Sequence, residues 1–468
     1  MHWSGKASIV VVDMVVFVLL LLYLPFDEKV NKGLAILAFV AILWLTEALH
    51  VTITAILIPI LAACTGLMST KNALVGFADA NIFLFFGGFA LAAAMHHQQL
   101  DKIIAQHILR LARGHFMLSL LFLFSTTAFL SMWMSNTATA AMMLPLAIGM
   151  LAKIDSEKER NTFVFVLLGI AYSASIGGIG TLVGTPPNAI VATQLNITFA
   201  QWLQYGIPMV IVFMPLMIFV LYFTFKPKLN LTFDTNNEMI PMDFEKYLTL
   251  GIFVFIALCW IFSAWVQPFV ASLFGVAKIA NFDSIIAIFA AVLVVACGVI
   301  QWKQVQANTD WGVLMLFGGG ITLSLILKDS GASRVMADGI VWLIEERNIF
   351  LIALIVGVFI VFLTEFTSNT ASAALLVPLF ISIAESLGVP SLGLALIIAI
   401  GASCAFMLPV ATPPNAIVFG TGQIKQVFGS ISYVRLLSRL RRISFGYSSC
   451  RPAPIWAAHA LRSHYCSG

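Results

Sequence analysis

Ser135-Asn136-Thr137 lies in the run Trp133-Met134-Ser135-Asn136-Thr137-Ala138, which is followed by Leu144-Pro145. It returns as Ser368-Asn369-Thr370 in Glu365-Phe366-Thr367-Ser368-Asn369-Thr370-Ala371, followed by Val377-Pro378. The step from Ser135 to Ser368 is 233 residues. Two more pairs keep the same order. Gly184-Thr185-Pro186-Pro187-Asn188-Ala189-Ile190 returns 227 residues on as Ala411-Thr412-Pro413-Pro414-Asn415-Ala416-Ile417, and Phe86-Gly87-Gly88 returns 231 residues on as Phe317-Gly318-Gly319. Three pairs in one order signify an internal duplication, which sets the fold before any single element is assigned.

The solvent around this duplication is lipid. Of the 468 residues 60% are hydrophobic and 10% charged, against about 25% charged in an average soluble domain. Stretches long enough for a hydrocarbon core of about 30 Å recur along the chain. Hydropathy, with Pro, Gly and charge as punctuation, predicts apolar segments near 8–25, 33–49, 52–68, 81–95, 118–134, 138–152, 162–183, 189–195 and 207–225. After the polar stretch from Lys226 to Lys246 come 247–266, 284–300, 311–327, 349–366, 371–387, 391–410 and 415–419. The basic Lys6 and the apolar run from Ile9 to Leu24 lack a small-residue cleavage site, so a retained first helix is expected. Cys64, Cys259, Cys297 and Cys404 lie in apolar segments and Cys450 and Cys466 near the end. Their spacing suggests neither a disulfide framework nor a zinc site. A net charge of +4, carried in short loops, says little about nucleic acid.

If the two Ser-Asn-Thr segments are re-entrant hairpins, each half has an odd number of full spans and the halves are inverted relative to each other. The expected architecture is an all-α polytopic membrane protein of two inverted repeats with re-entrant hairpins and unwound transmembrane helices. Its parts are a first repeat (1–225), a cytoplasmic linker (226–246), a second repeat (247–426) and an atypical tail (427–468). With a cytoplasmic N-terminus, twelve Lys and Arg fall in inside loops and seven in outside loops, the sign expected of the positive-inside rule.

Irregular backbone at membrane depth is tolerated only inside protein or against a wet cavity. A break at Ser135-Asn136-Thr137 or Ser368-Asn369-Thr370 exposes amide donors at the start of a helix, which favour an anion. It also leaves carbonyls at the end of the preceding helix for cations. Thr185-Pro186-Pro187-Asn188 and Thr412-Pro413-Pro414-Asn415 are expected to unwind their helices, because proline lacks a donor and clashes with the preceding turn. A lone Ser or Thr in a membrane helix is ordinarily back-bonded or packing glue. The repetition of Asn and of double proline argues for a site instead. No Arg or Lys lies in these four segments, so a bound dianion needs compensation from elsewhere, and co-bound sodium supplies it. Glu47 and Glu365 are acids in apolar surroundings, read as supporting the site rather than binding the ion. His96, His97, His107 and His115 read as interfacial loop residues. Gly318-Gly319-Gly320 reads as close helix packing, not as a phosphate loop.

At these residues the sequence resembles the divalent anion/sodium symporter family, over roughly residues 8 to 426. The resemblance implies a scaffold domain, a mobile transport domain moving as an elevator, and a homodimer. Carried onto this chain, it implies a first sodium site at Ser131, Ser135, Asn136 and Gly184 and a second at Thr364, Thr367, Asn369 and Ala411. It places substrate at Ser135, Asn136 and Thr137 on one side and at Ser368, Asn369, Thr370, Thr412 and Pro413 on the other. The implied function is not an enzyme's: it is import of a four-carbon dicarboxylate (succinate, malate or fumarate) with Na+ as co-transported ion, expected in a bacterial inner membrane. The alternatives are a sodium-independent dicarboxylate exchanger and a sulfate transporter of the same superfamily. A channel or membrane enzyme lacks a charged pore ring or a catalytic constellation here.

The tail departs from that pattern. The repeat step places a counterpart of 207–225 at about 434–452, which instead holds Arg435, Arg439, Arg441, Arg442 and Arg451. A central Arg costs about 2.5–3.5 kcal/mol even on a lenient insertion scale. From Val427 onward there are six Arg and no Lys, Asp or Glu. A changed reading frame near Val427 is expected. The alternative is a basic amphipathic tail, since Leu436, Leu437, Leu440 and Ile443 have roughly helical spacing.

Overall fold

The computed structural model describes residues 4–112, 115–152, 154, 159–228, 240–344, 349–387 and 390–424. The expected linker is described in part, and the tail at 427–468 lies outside the described residues. The first half contains α1 (Ser4–Tyr23), α2 (Glu28–Thr46), α3 (Val51–Cys64), α4 (Thr70–Val75), α5 (Ala80–His97), α6 (Leu100–Leu111), α7 (Phe116–Ser131), α8 (Asn136–Leu151), α9 (Arg160–Gly178), α10 (Pro186–Leu195) and α11 (Phe199–Phe225). The second contains α12 (Phe244–Ile261), α13 (Ser263–Leu273), α14 (Phe282–Ala296), α15 (Trp302–Asn308), α16 (Trp311–Ser330), α17 (Ala332–Ile344), α18 (Ile349–Leu363), α19 (Asn369–Leu387), α20 (Ser391–Ala402) and α21 (Pro413–Phe419).

Among the described residues, seven helices are long and apolar enough to cross a membrane: α1, α2, α9, α11, α12, α16 and the stretch Thr70–His97 that runs from α4 through α5. The expected breaks appear as pairs of shorter apolar helices: α7 with α8, and α18 with α19. Ser135 starts α8 by accepting a hydrogen bond from the Ala138 amide, as a short hydroxyl does at a helix N-cap. Elsewhere Asp79, Asp243 and Asp310 cap α5, α12 and α16 in the same way, and Thr198 with Gln201 forms a capping box on α11.

The double prolines stand at the expected breaks, but the unwound stretch precedes them and each pair begins the next helix. Helix α9 ends at Gly178, residues 179–185 are non-helical, and Pro186 and Pro187 occupy the first positions of α10. In the same way Pro413 and Pro414 begin α21 after the break that follows Ala402. A proline at a helix start forfeits an amide that had no helical partner anyway.

Buried residues fall into two large clusters, one around α2, α3, α5, α14 and α16 and one around α7, α8 and α9. Lipid is as apolar as a leucine side chain, so close approach of small residues holds such helices together. A Cβ on Gly87 would run into the backbone of Ala287, and one on Gly319 would lie 2.7 Å from the Ala55 carbonyl oxygen. Both Phe-Gly-Gly pairs are therefore packing sites, as expected for Gly318-Gly319-Gly320. The two halves also interlock: α10 packs on α19 and α20, and α21 packs on α8 and α9. This crossing brings four helix interruptions to one place.

Candidate functional site

A cavity of about 610 Å³ opens among the four interruptions. Its lining contains Ser135, Asn136 and Thr137 from the first hairpin and Ser368, Asn369 and Thr370 from the second. From the two breaks come Gly184, Thr185 and Pro186, and Ala411, Thr412, Pro413 and Pro414. All eight residues expected to meet substrate line this one cavity, as do Ser135, Asn136, Gly184, Thr367, Asn369 and Ala411 of the expected cation sites.

Ser131 and Thr364 stand one layer behind, in matched arrangements. The Ser131 hydroxyl lies 2.6 Å from Asn136 Oδ1 and 2.7 Å from the Ala174 carbonyl oxygen. The Thr364 hydroxyl lies 2.6 Å from Asn369 Oδ1 and 2.9 Å from the Ala402 carbonyl oxygen. Each hydroxyl has one hydrogen and two acceptors in reach, and each ties its hairpin Asn to the end of the neighbouring broken helix. The Thr367 side chain is engaged elsewhere, with the Leu363 carbonyl and Ser372, which leaves its backbone as the part available to a ligand. Gly178 is needed for the approach: a Cβ there would stand 2.5 Å from Asn136 Oδ1.

Asn188 and Asn415 are not among the lining residues. Both are fully buried. The Asn188 amide donates to the carbonyls of Gly178 (2.8 Å), Thr181 (2.7 Å) and, more weakly, Ile179 (3.3 Å). That of Asn415 donates to Ala405 (3.1 Å) and Leu408 (3.0 Å). These side chains tie the unwound backbone into shape, because a free carbonyl buried away from water is costly. In both, the amide oxygen is buried with no donor among the described residues.

Glu47, Asp310 and Glu365 are the ionisable side chains of the lining; no Lys, Arg or His belongs to it among the described residues. Glu47 ends α2 with a left-handed backbone (φ 47°), and Asp310 caps α16. Glu365 is buried and accepts from three successive backbone amides, those of Phe406 (2.8 Å), Met407 (2.9 Å) and Leu408 (2.9 Å). The sequence reading omitted the apolar wall: Phe85 and Phe89 of α5, Val313 of α16, and Val183, Phe366 and Val410 beside the breaks. In a chain with 38 Phe, two more in an apolar helix give no signal of their own.

Three of the four histidines lie in helices rather than in a loop. His96 and His97 end α5 and His107 lies on α6, while His115 precedes α7. His96 pairs with buried Asp101 at 2.7 Å, and no group of three or more His, Cys, Asp or Glu suited to a metal occurs among the described residues.

A family model described as the sodium:sulfate symporter transmembrane region matches residues 2–431. An uncharacterized transporter of Haemophilus influenzae is 65% identical over 425 residues, covering 90% of this chain and 92% of that protein. An uncharacterized transporter of Methanocaldococcus jannaschii is 37% identical over 408 residues, covering 86% and 90%. The sodium-dependent dicarboxylate transporter SdcS of Staphylococcus saprophyticus is 33% identical over 473 residues, covering 93% and 89%.

Proposed function

Because the chain belongs to the sodium:sulfate symporter family and is thereby a sodium-coupled, multi-pass membrane transporter, we propose that its cargo is a four-carbon dicarboxylate carried inward with Na+. Members of this family move solutes and do no covalent chemistry, so the hydroxyl, amide and backbone groups of the hairpins and breaks are read as binding groups. One observation carries the proposal: a single cavity joins both Ser-Asn-Thr hairpins and both Thr-Pro-Pro-Asn breaks while its ionisable side chains are acidic. A dianion placed there meets hydroxyl, amide and helix-start donors but no protein cation. An uncompensated buried charge costs several kcal/mol, and co-bound sodium removes that cost.

In this reading Asn136 and Asn369 each bridge a cation and a carboxylate. Ser131, Ser135 and the Gly184 backbone complete the first cation site; Thr364, the Thr367 backbone and the Ala411 backbone complete the second. Ser135, Thr137, Ser368, Thr370, Thr412 and Pro413 shape the space for substrate. Two hairpin tips on one cavity suit a molecule with two separated anionic ends, such as succinate, malate or fumarate. Sulfate concentrates its charge at one point and leaves one tip unused. The name of the staphylococcal relative favours the same choice.

The matched hydrogen bonds around Ser131 and Thr364 and around Asn188 and Asn415 support two structurally equivalent halves. We read these as inverted repeats, 1–225 and 247–426, joined by the 226–246 linker. The moving body of an elevator would carry the hairpins and broken helices, in a homodimer in a bacterial inner membrane. The experiment is succinate uptake into proteoliposomes with and without an inward sodium gradient, with sulfate as competitor. Uptake driven by the gradient and indifferent to excess sulfate is expected. Gradient-independent succinate exchange, or displacement by sulfate, overturns the assignment.

A further inference from the structure

We infer that Glu365 is a positioning residue that sets the sodium affinity of the second cation site alone, by holding the backbone that leads to Ala411. The inference rests on the reading that Thr364, Asn369 and Ala411 hold sodium.

Helix α20 ends at Ala402, and from Cys404 to Leu408 the chain makes no regular turn. Its amides must find partners outside a helix, because buried backbone donors are rarely left unpaired. Three in a row are collected by one carboxylate: Glu365 Oε1 takes those of Phe406 and Met407, and Oε2 takes that of Leu408. Other side chains fix the carbonyls of the same stretch. Tyr172 Oη donates to Phe406 at 2.5 Å, and Asn415 donates to Ala405 and Leu408. The Leu408 carbonyl also accepts from the amide of Ala411 at 3.2 Å. Leu408 thus joins the carboxylate on one side to Ala411 on the other.

Among the described residues the first half shows no such carboxylate. By the 233-residue step, Glu365 corresponds to Met132. There the break closes on itself: the Ile179 amide bonds to Ile176, that of Gly180 to Gly177 and that of Gly184 to Thr181. The charge stands where the local turn fails to satisfy its own amides. It also lies one residue from Thr364, among the cavity-lining residues, and no cationic side chain pairs with it among the described residues. Hydrogen bonds to a charged group are about twice as strong as neutral ones, so both the shape of the loop and the local field depend on this one side chain.

The test is Glu365→Gln, which keeps the size and one acceptor oxygen. It sets an NH2 group against one of the three amides and removes the charge. Sodium half-saturation of succinate uptake is expected to rise about tenfold, the scale of one lost charged hydrogen bond. Maximal uptake at saturating sodium, and succinate half-saturation measured there, are expected to stay within about twofold, the tolerance for a change confined to cation affinity. Tyr172→Phe removes only the bond to the Phe406 carbonyl and is expected to raise sodium half-saturation about threefold, the scale of a neutral hydrogen bond. Unchanged sodium dependence of Glu365→Gln overturns the inference. So does a folded Gln variant with no uptake at any sodium concentration. If the Gln variant does not fold, Tyr172→Phe decides, and wild-type sodium dependence there overturns it. Thr364→Val, measured in parallel, separates the two levels. If it too leaves sodium dependence unaltered, the cation-site reading has failed; if it shifts and Glu365→Gln does not, only the role of Glu365 has.

Discussion

Asn188→Ala and Asn415→Ala are expected to weaken sodium coupling to a similar degree, because the two residues occupy matched positions. Removing the Asn188 amide deserts the carbonyl of Gly178, whereas Ile179 keeps the Trp202 indole donor at 3.0 Å and Thr181 keeps the bond from the Gly184 amide at 3.4 Å. A deserted buried carbonyl costs about 1–3 kcal/mol. The orphaned Oδ1 of Asn188 disappears with the side chain, which returns part of that and leaves a net loss of about 1–2 kcal/mol. Removing Asn415 deserts Ala405, but Leu408 keeps the bond from the Ala411 amide; the expected loss is again about 1–2 kcal/mol. Because 1.4 kcal/mol is tenfold, sodium half-saturation should rise about tenfold in each variant. Sodium titration of succinate uptake in proteoliposomes reads both, and sodium protection against thermal unfolding reports whether each variant still binds the ion. Wild-type sodium dependence in either variant, or a difference of more than about tenfold between them, would refute the reasoning.

Asn136→Ala and Asn369→Ala should each abolish sodium-dependent uptake while leaving the protein folded in detergent, and should weaken an ion–substrate coupling that is normally about 1–3 kcal/mol; wild-type uptake by either removes both from the site. Two sodium ions only neutralise a dianion, and each net charge moved across 100 mV is worth about 2.3 kcal/mol. Robust uptake without current therefore means two ions per cycle, and an inward current means a third. For the residues after Val427, we propose a changed reading frame: shifting the frame of the coding DNA there should restore about 20 apolar codons, enough for one span, and the absence of such a frame would make the tail a genuine feature. If the frame has changed, this chain should transport less, or unfold at a lower temperature, than one with the frame restored.

What could be read from the sequence was whatever the chain states twice. A Ser-Asn-Thr in an apolar run is unremarked once; repeated beside a repeated Thr-Pro-Pro-Asn it marks a site, and all four segments line one cavity. The long apolar helices were equally plain, since nothing competes with a run such as Phe199–Phe225. Helices α4, α6, α13, α15 and α17 were not separately visible, because they are short or mix polar with apolar positions. Double proline marked the breaks but not which side of them is helical: steric exclusion of the preceding turn and fitness for a first turn are the same property. The role of Asn188 and Asn415 was hidden because their partners are carbonyls, which every residue carries. Glu365 could be seen as an acid out of place, but its three amide partners have no letter in the sequence.

The prolines that begin α10 and α21 have a consequence for leakage. Pro186, Pro187, Pro413 and Pro414 have no amide hydrogen. The next amides are engaged at home, that of Asn188 with the Thr185 carbonyl and that of Asn415 with the Thr412 hydroxyl. Helices α8 and α19 instead begin Asn136-Thr137 and Asn369-Thr370, which keep their amide hydrogens. Donors thus gather on the hairpin side of the cavity, while the unwound side is richer in carbonyls. Under the proposed binding of a dicarboxylate with sodium, a lone anion satisfies one wall and a lone cation the other. Either by itself leaves a row of polar groups facing nothing, so a half-loaded carrier pays a desolvation penalty that a full one avoids, and slippage of one cargo without the other is disfavoured by the backbone itself.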